Sequence, residues 1–139
     1  MINDFLIISD NIIWNKGKIN QEYFCKVDNY QFYCSPDEIK EFGSLKIFIS
    51  GYIIPRVSCY NSYKNYEKHE LILQLYSDFN KDFTTYIKGI FCIIIIEGNG
   101  INVFTDHLGI YKLFYSSSHK SFIASNSIIV LSNINAISH

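Results

Sequence analysis

The stretch "GIFCIIIIEG", Gly89 to Gly98, constrains this chain more than any other. Its apolar residues are mostly β-branched, and β-branched side chains suit the pleated surface of a sheet. Such a run predicts a strand buried inside the protein, and a two-sheet sandwich supplies the cover it needs. It is far shorter than the roughly 20 apolar residues that cross a bilayer as a helix. Within it Cys92 reads as a small buried hydrophobe, and Glu97 as a charge at the sheet rim.

The remaining apolar runs extend the pattern. "DFLIIS" predicts a strand, "NIIWNKGKI" a second one turning at Asn15–Gly17, and "YFCKVDNYQFYCS" a hairpin across Asp28-Asn29. "SLKIFISGYII" predicts another strand, closed by Pro55, which has no N–H for a sheet ladder. The period then changes: Leu71, Ile72, Leu75, Tyr76 and Phe79 fall on one face of a helix from Glu67 to Phe79. A further helical turn or two, Asp82 to Lys88, is expected to stop at Gly89, a suitable residue just past a helix end. Strands resume in "IFCIIIIEG", "INVFTD", "KLFYSS" and "SFIASN", with turns at Asn99-Gly100 and Ser116 to Lys120. "LSNINAISH" reads as a tail that frays over about 132–139. No repeat or linker divides the 139 residues, so 1–139 is expected to form a single α+β domain.

Composition narrows the function. With 48% hydrophobic and 17% aromatic residues, the chain has the material for a well-filled core. Its formal charge is −1, and Arg56 is its only arginine. Neither nucleic acid nor an anionic membrane surface is therefore an expected partner. Cys25, Cys34, Cys59 and Cys92 show no C-x-x-C spacing, which predicts reduced thiols in a cytoplasmic protein. The opening "MINDFLIISD" lacks the basic start and long apolar stretch of a secretory leader.

Several chemistries lack their residues. No phosphate loop, dinucleotide-binding glycine motif or G-x-S-x-G elbow is present, and no cofactor is expected. "HELIL", beginning at His69, has no second histidine four residues on, so no metal site is expected. His69, His107, His119 and His139 stand in unrelated contexts. Tyr60, Tyr63 and Tyr66 lack the basic surround of a base-stacking platform and read as a packed loop or helix edge.

One corner carries more information. "TDHLGIYKLFY", Thr105 to Tyr115, sits between two predicted strands. It follows "HELILQLYSDFNKDFTTYIKGIFCIIIIEG" and precedes "FIASNSIIVLS". In order and spacing the block from His69 to Ser132 resembles the N-terminal glutaminase domain of the asparagine synthetases, which are class II glutamine amidotransferases. "FISGYII" resembles the family segment that precedes that helix. The resemblance implies a four-layer α-β-β-α sandwich of the N-terminal-nucleophile hydrolase type, with two mainly antiparallel sheets. It implies that the corner is structural, with Asp106 accepting backbone N–H bonds and Gly109 adopting a conformation closed to other residues.

The same resemblance implies that glutaminase chemistry is absent. The family nucleophile is a cysteine at the mature N-terminus with its free α-amine as base; here Met1 is followed by Ile2. The oxyanion donor, an asparagine beside a glycine, is replaced by Ser50 beside Gly51, and losing one such donor costs about 3–4 kcal/mol of transition-state stabilisation. Lys68 stands where an acid binds the substrate ammonium, two residues before Glu70. Arg56 lies beyond the Gly51 segment rather than before it. The expected function is a catalytically inactive scaffold or binding domain, its vestigial pocket formed by Ser50, Gly51, Lys68 and Glu70. The partner would be a separately encoded, synthetase-like, ATP-using amide-forming enzyme, as in peptide natural-product pathways, or a peptide or acidic metabolite whose carboxylate pairs with Lys68. Homo-oligomerisation through the apolar strands is also open. Two alternatives stand beside this reading: a small amidohydrolase with a non-family nucleophile, and an N-terminal fragment of a longer synthetase.

Overall fold

The structure, a computed structural model, describes residues 4–12, 14, 22–118 and 121–127. Among these it is an α+β protein with two antiparallel sheets, nine strands and two α-helices. They fall into two compact units, one drawn from 1–38, 98–100 and 112–139, the other from 39–97 and 101–111.

In the first unit the strand order is β2 (Tyr23–Val27), β3 (Tyr30–Cys34), β1 (Phe5–Ser9), β9 (Ser121–Ser125) and β8 (Phe114–Ser118). The predicted hairpin across Asp28-Asn29 joins β2 to β3, with Asp28 at φ +54°. Central β1 is buried along its whole length. Leu6 and Ile8 pack with Ile12, Tyr33 and Ile123, and Trp14 meets the Tyr33 ring edge-on. Side chains also fasten β1 to β9: the Ser9 hydroxyl donates to the Phe122 carbonyl at 2.9 Å, and the Ser125 hydroxyl donates to that of Phe5.

In the second unit the order is β4 (Ile39–Phe42), β5 (Leu45–Pro55), β6 (Ile87–Glu97) and β7 (Gly100–Thr105). The Gly89–Gly98 run forms most of β6, which pairs with β5 over eleven residues, from Leu45↔Glu97 to Pro55↔Ile87. Ile47, Ile49, Ile93 and Ile95 join Leu71, Ile72 and Leu75 of α2 (Lys68–Phe79) and Phe83 in one core cluster. Their alternates Phe48, Cys92, Ile94 and Ile96 are buried as well, so β6 carries apolar residues on both faces. A short helix, α1 (Tyr60–Tyr63), precedes α2, and the Tyr63 hydroxyl donates to Asp78 at 2.7 Å.

Three elements depart from expectation. The segment after α2 is a 3-10 helix, Asn80–Tyr86, and the chain is already a strand at Ile87. Gly89 therefore ends no helix. It lies inside β6 at φ +141°, where an added Cβ would collide with the Tyr52 carbonyl oxygen. Gly51, at φ +94°, meets the Ile90 carbonyl oxygen in the same way. Since Tyr52 and Ile90 are register partners, the two glycines flank one pair and admit two carbonyls to a close backbone crossing. The third departure is β4, which had no predicted counterpart; it forms by pairing with β5 from Ile39↔Phe48 to Phe42↔Leu45. Of the strand expected over 11–19, Asn11, Ile12 and Trp14 are described and lie in no strand. Of the turn expected over Ser116 to Lys120, Ser116–Ser118 belong to β8 and pair with β9. The rest of both, and the tail over 132–139, lie outside the described residues.

Candidate functional site

Asp106 follows β7 and organises the corner that the sequence singles out. Its carboxylate accepts the N–H groups of Ile110 at 2.8 Å, Tyr111 at 3.1 Å and Phe91 at 3.3 Å. Its backbone N–H donates to the Phe91 carbonyl, and its own carbonyl accepts from Gly109. Gly109 sits at φ +66° with open space where a Cβ would point, so the requirement for glycine there is conformational rather than steric. Asp106 is only 5% exposed. Burial alone would raise its pKa, but the backbone N–H bonds outweigh it and hold the carboxyl below its ordinary value.

Ser50 and Gly51 belong to this same assembly. They pair with Cys92 and Phe91 across the β5–β6 ladder, and Phe91 is the residue whose N–H reaches Asp106. Ser50 is 4% exposed, and its Oγ accepts a 2.6 Å hydrogen bond from the Tyr111 hydroxyl. Tyr111 thus binds Asp106 through its backbone and Ser50 through its ring. Nothing in the local sequence marks a partnership spanning 61 positions.

Lys68 and Glu70 belong to a different cluster, at the start of α2, where both are exposed. Its hub is Glu67, the N-cap, which the local sequence does not mark. Serine, threonine, asparagine and aspartate are the usual caps, so a glutamate gives little signal. One Glu67 oxygen, Oε2, accepts the N–H groups of His69 at 3.0 Å and Glu70 at 3.3 Å and pairs with Lys40 Nζ at 3.2 Å. The other, Oε1, lies 2.9 Å from Nδ1 of the buried His69 ring. Partial burial raises the Glu67 pKa, but these donors together bring it down to about 2. The four expected pocket residues therefore divide into two pairs with different anchors: Ser50 and Gly51 with the Asp106 corner, Lys68 and Glu70 with Glu67.

The cysteines are all free thiols. Burial, with a smaller contribution from the Asp106 charge, pushes Cys92 up to about 12. Burial likewise raises Cys34, helped by Cys25 and Glu38. Since the thiolate is the nucleophile, both are inert at neutral pH. Cys59 is half-buried, its Sγ 3.4 Å from the Tyr86 carbonyl oxygen. Among the described residues no group of three or more His, Cys, Asp or Glu side chains is placed to hold a metal ion, and no helix is long and apolar enough to cross a membrane. Ile2, His119 and His139 lie outside the described residues. A scan against protein-family models finds no match to this chain, and a search of curated proteins finds none.

Proposed function

We propose that this chain is a catalytically silent, amidotransferase-like binding domain. In this reading its two antiparallel sheets belong to a four-layer α-β-β-α sandwich of the N-terminal-nucleophile type. It acts in the cytoplasm as the partner of a separately encoded, ATP-using, asparagine-synthetase-like enzyme that forms amide bonds. The block from His69 to Ser132 is the basis of the family reading.

The observation that carries the silent reading is the burial of Ser50. An oxyanion donor must point into an open site at about 2.7–3.1 Å from the developing charge. At the position where the resemblance puts that donor, the Ser50 hydroxyl is instead buried at 4% exposure, with its oxygen accepting a hydrogen bond from the Tyr111 hydroxyl of the same unit. Two further features agree. Lys68 sets a positive charge on the first turn of α2, where an ammonium-binding family member has an acid. The buried Cys92 thiol, adjoining this region across the ladder from Ser50, stays protonated at neutral pH.

The partner is tested by affinity purification of the tagged full chain from its native host, with mass spectrometry of the proteins that accompany it. The account predicts a synthetase of the ATP-pyrophosphatase type in near-equal amount. A folded bait that brings down no ATP-using, amide-forming enzyme contradicts it.

A further inference from the structure

Arg56 stands where β5 leaves its sheet after Pro55. Its backbone is fixed there: its N–H donates to the Tyr86 carbonyl at 2.9 Å, and its carbonyl accepts from Cys59 at 3.0 Å. Lys88, exposed on β6, is the register partner of Ile54, two residues before Arg56. His107 opens the Asp106 corner, its Nε2 3.3 Å from the Thr84 carbonyl oxygen. A carbonyl only accepts, so Nε2 carries the proton and Nδ1 is the ring's other polar atom.

These three residues line one cleft of about 240 Å³, together with Gly89, Phe91 and Leu108. Asp106 is the carboxylate in that lining, and both its oxygens already accept backbone N–H groups. Among the described residues neither the Arg56 guanidinium nor the Lys88 ammonium enters an ion pair. The chain's only arginine, a lysine and a histidine thus converge on a single hollow in a protein of net charge −1.

We infer that this cleft binds a small phosphorylated organic molecule, its phosphate held between Arg56 and Lys88. A guanidinium matches two phosphate oxygens bidentately and an ammonium supplies a point charge for the third. A carboxylate carries one negative charge against the two of a phosphate dianion, so it matches this pair of cations less well. The cleft exceeds the phosphate itself and has an apolar side at Leu108, which is 84% exposed. That side takes the organic part of the ligand. The inference does not rest on the proposed synthetase partner, and Arg56 and Lys88 lie outside the Ser50–Tyr111 pair.

The test is an amide-resolved NMR titration of the full chain with inorganic phosphate at constant ionic strength, with acetate in parallel. The expected result is saturable shifts confined to the Gly89, His107 and Leu108 amides. Arg56→Gln should weaken binding about tenfold, in line with the loss of a charged hydrogen bond. Arg56→Gln with Lys88→Gln should abolish it, while Lys26→Gln, in the other unit, leaves it unchanged. Both cleft substitutions are at exposed positions, and the same spectra report whether each variant is folded. Shifts that spread over the surface without saturating, undiminished binding in the double variant, or an equal loss in Lys26→Gln overturn the site. Acetate binding as tightly at the same amides overturns its assignment to phosphate.

Discussion

Asp106 and Glu67 are carboxylates of one unit that do similar work in different surroundings. Each gathers several donors, and each is held in its charged form below its ordinary pKa. Asp106 is buried and takes backbone N–H groups from β6 and from its own corner, with no cationic side chain bonded to it among the described residues. Glu67 is 38% exposed at the side chain and combines two backbone donors of a helix start with His69 and Lys40. Water can replace what Glu67 loses; it has poor access to what Asp106 satisfies. The difference assigns tertiary structure to Asp106 and local helix initiation to Glu67.

The largest expected effect separates the two. Asp106→Ala leaves up to three N–H groups near the core without their acceptor and should cost on the order of 3 kcal/mol in denaturant unfolding. It should also loosen Tyr111 from Ser50, seen as faster hydrogen exchange around Ser50. Glu67→Ala removes a cap and should cost about 1 kcal/mol, with exchange quickening only in the first turn of α2. Equal losses from the two variants would erase the distinction.

Acid sharpens it. A carboxyl whose folded pKa is lowered contributes stability above its unfolded value and loses it as pH falls through the folded one. For Glu67 that window runs from about 4.5 down to about 2, and Glu67→Gln should flatten the stability-versus-pH curve there. Asp106 should act on the acid side of its ordinary value of 3.8. Denaturant midpoints taken from neutral pH to pH 2 check both. The smallest effect belongs to Lys40→Ala, which breaks a largely solvated pair and should change stability by about 0.5 kcal/mol or less. A loss near that of Glu67→Ala would mean that the ion pair, and not the cap, carries the cluster.

The same contrast explains what was legible in the sequence. Phe5 to Ser9, Leu45 to Pro55 and the isoleucines of β6 advertise their strands because burial and β-branching are properties of each residue. Leu71, Ile72, Leu75, Tyr76 and Phe79 mark α2 in the same local way. Gly89 departs from expectation because a glycine after a helical pattern looks like a stop. Its actual role depends on the Tyr52 carbonyl, 37 positions earlier in the chain. The short stretch Ile39–Phe42 is a strand only because Lys40 and Glu41 find Ile47 and Lys46 opposite them. At the site, Asp106 and Gly109 have side chains suited to a turn and are visible as such. Tyr111 meeting Ser50, and Lys40 meeting Glu67, are products of folding that no local pattern encodes.

The central claim, a silent amidotransferase-like pocket, is tested most directly by measuring ammonia release from glutamine by the purified full chain. The account predicts no release above that of a buffer blank, and no change on Ser50→Ala or Cys92→Ala. Steady release by the wild-type chain, abolished by either substitution in a protein that remains folded, would contradict it.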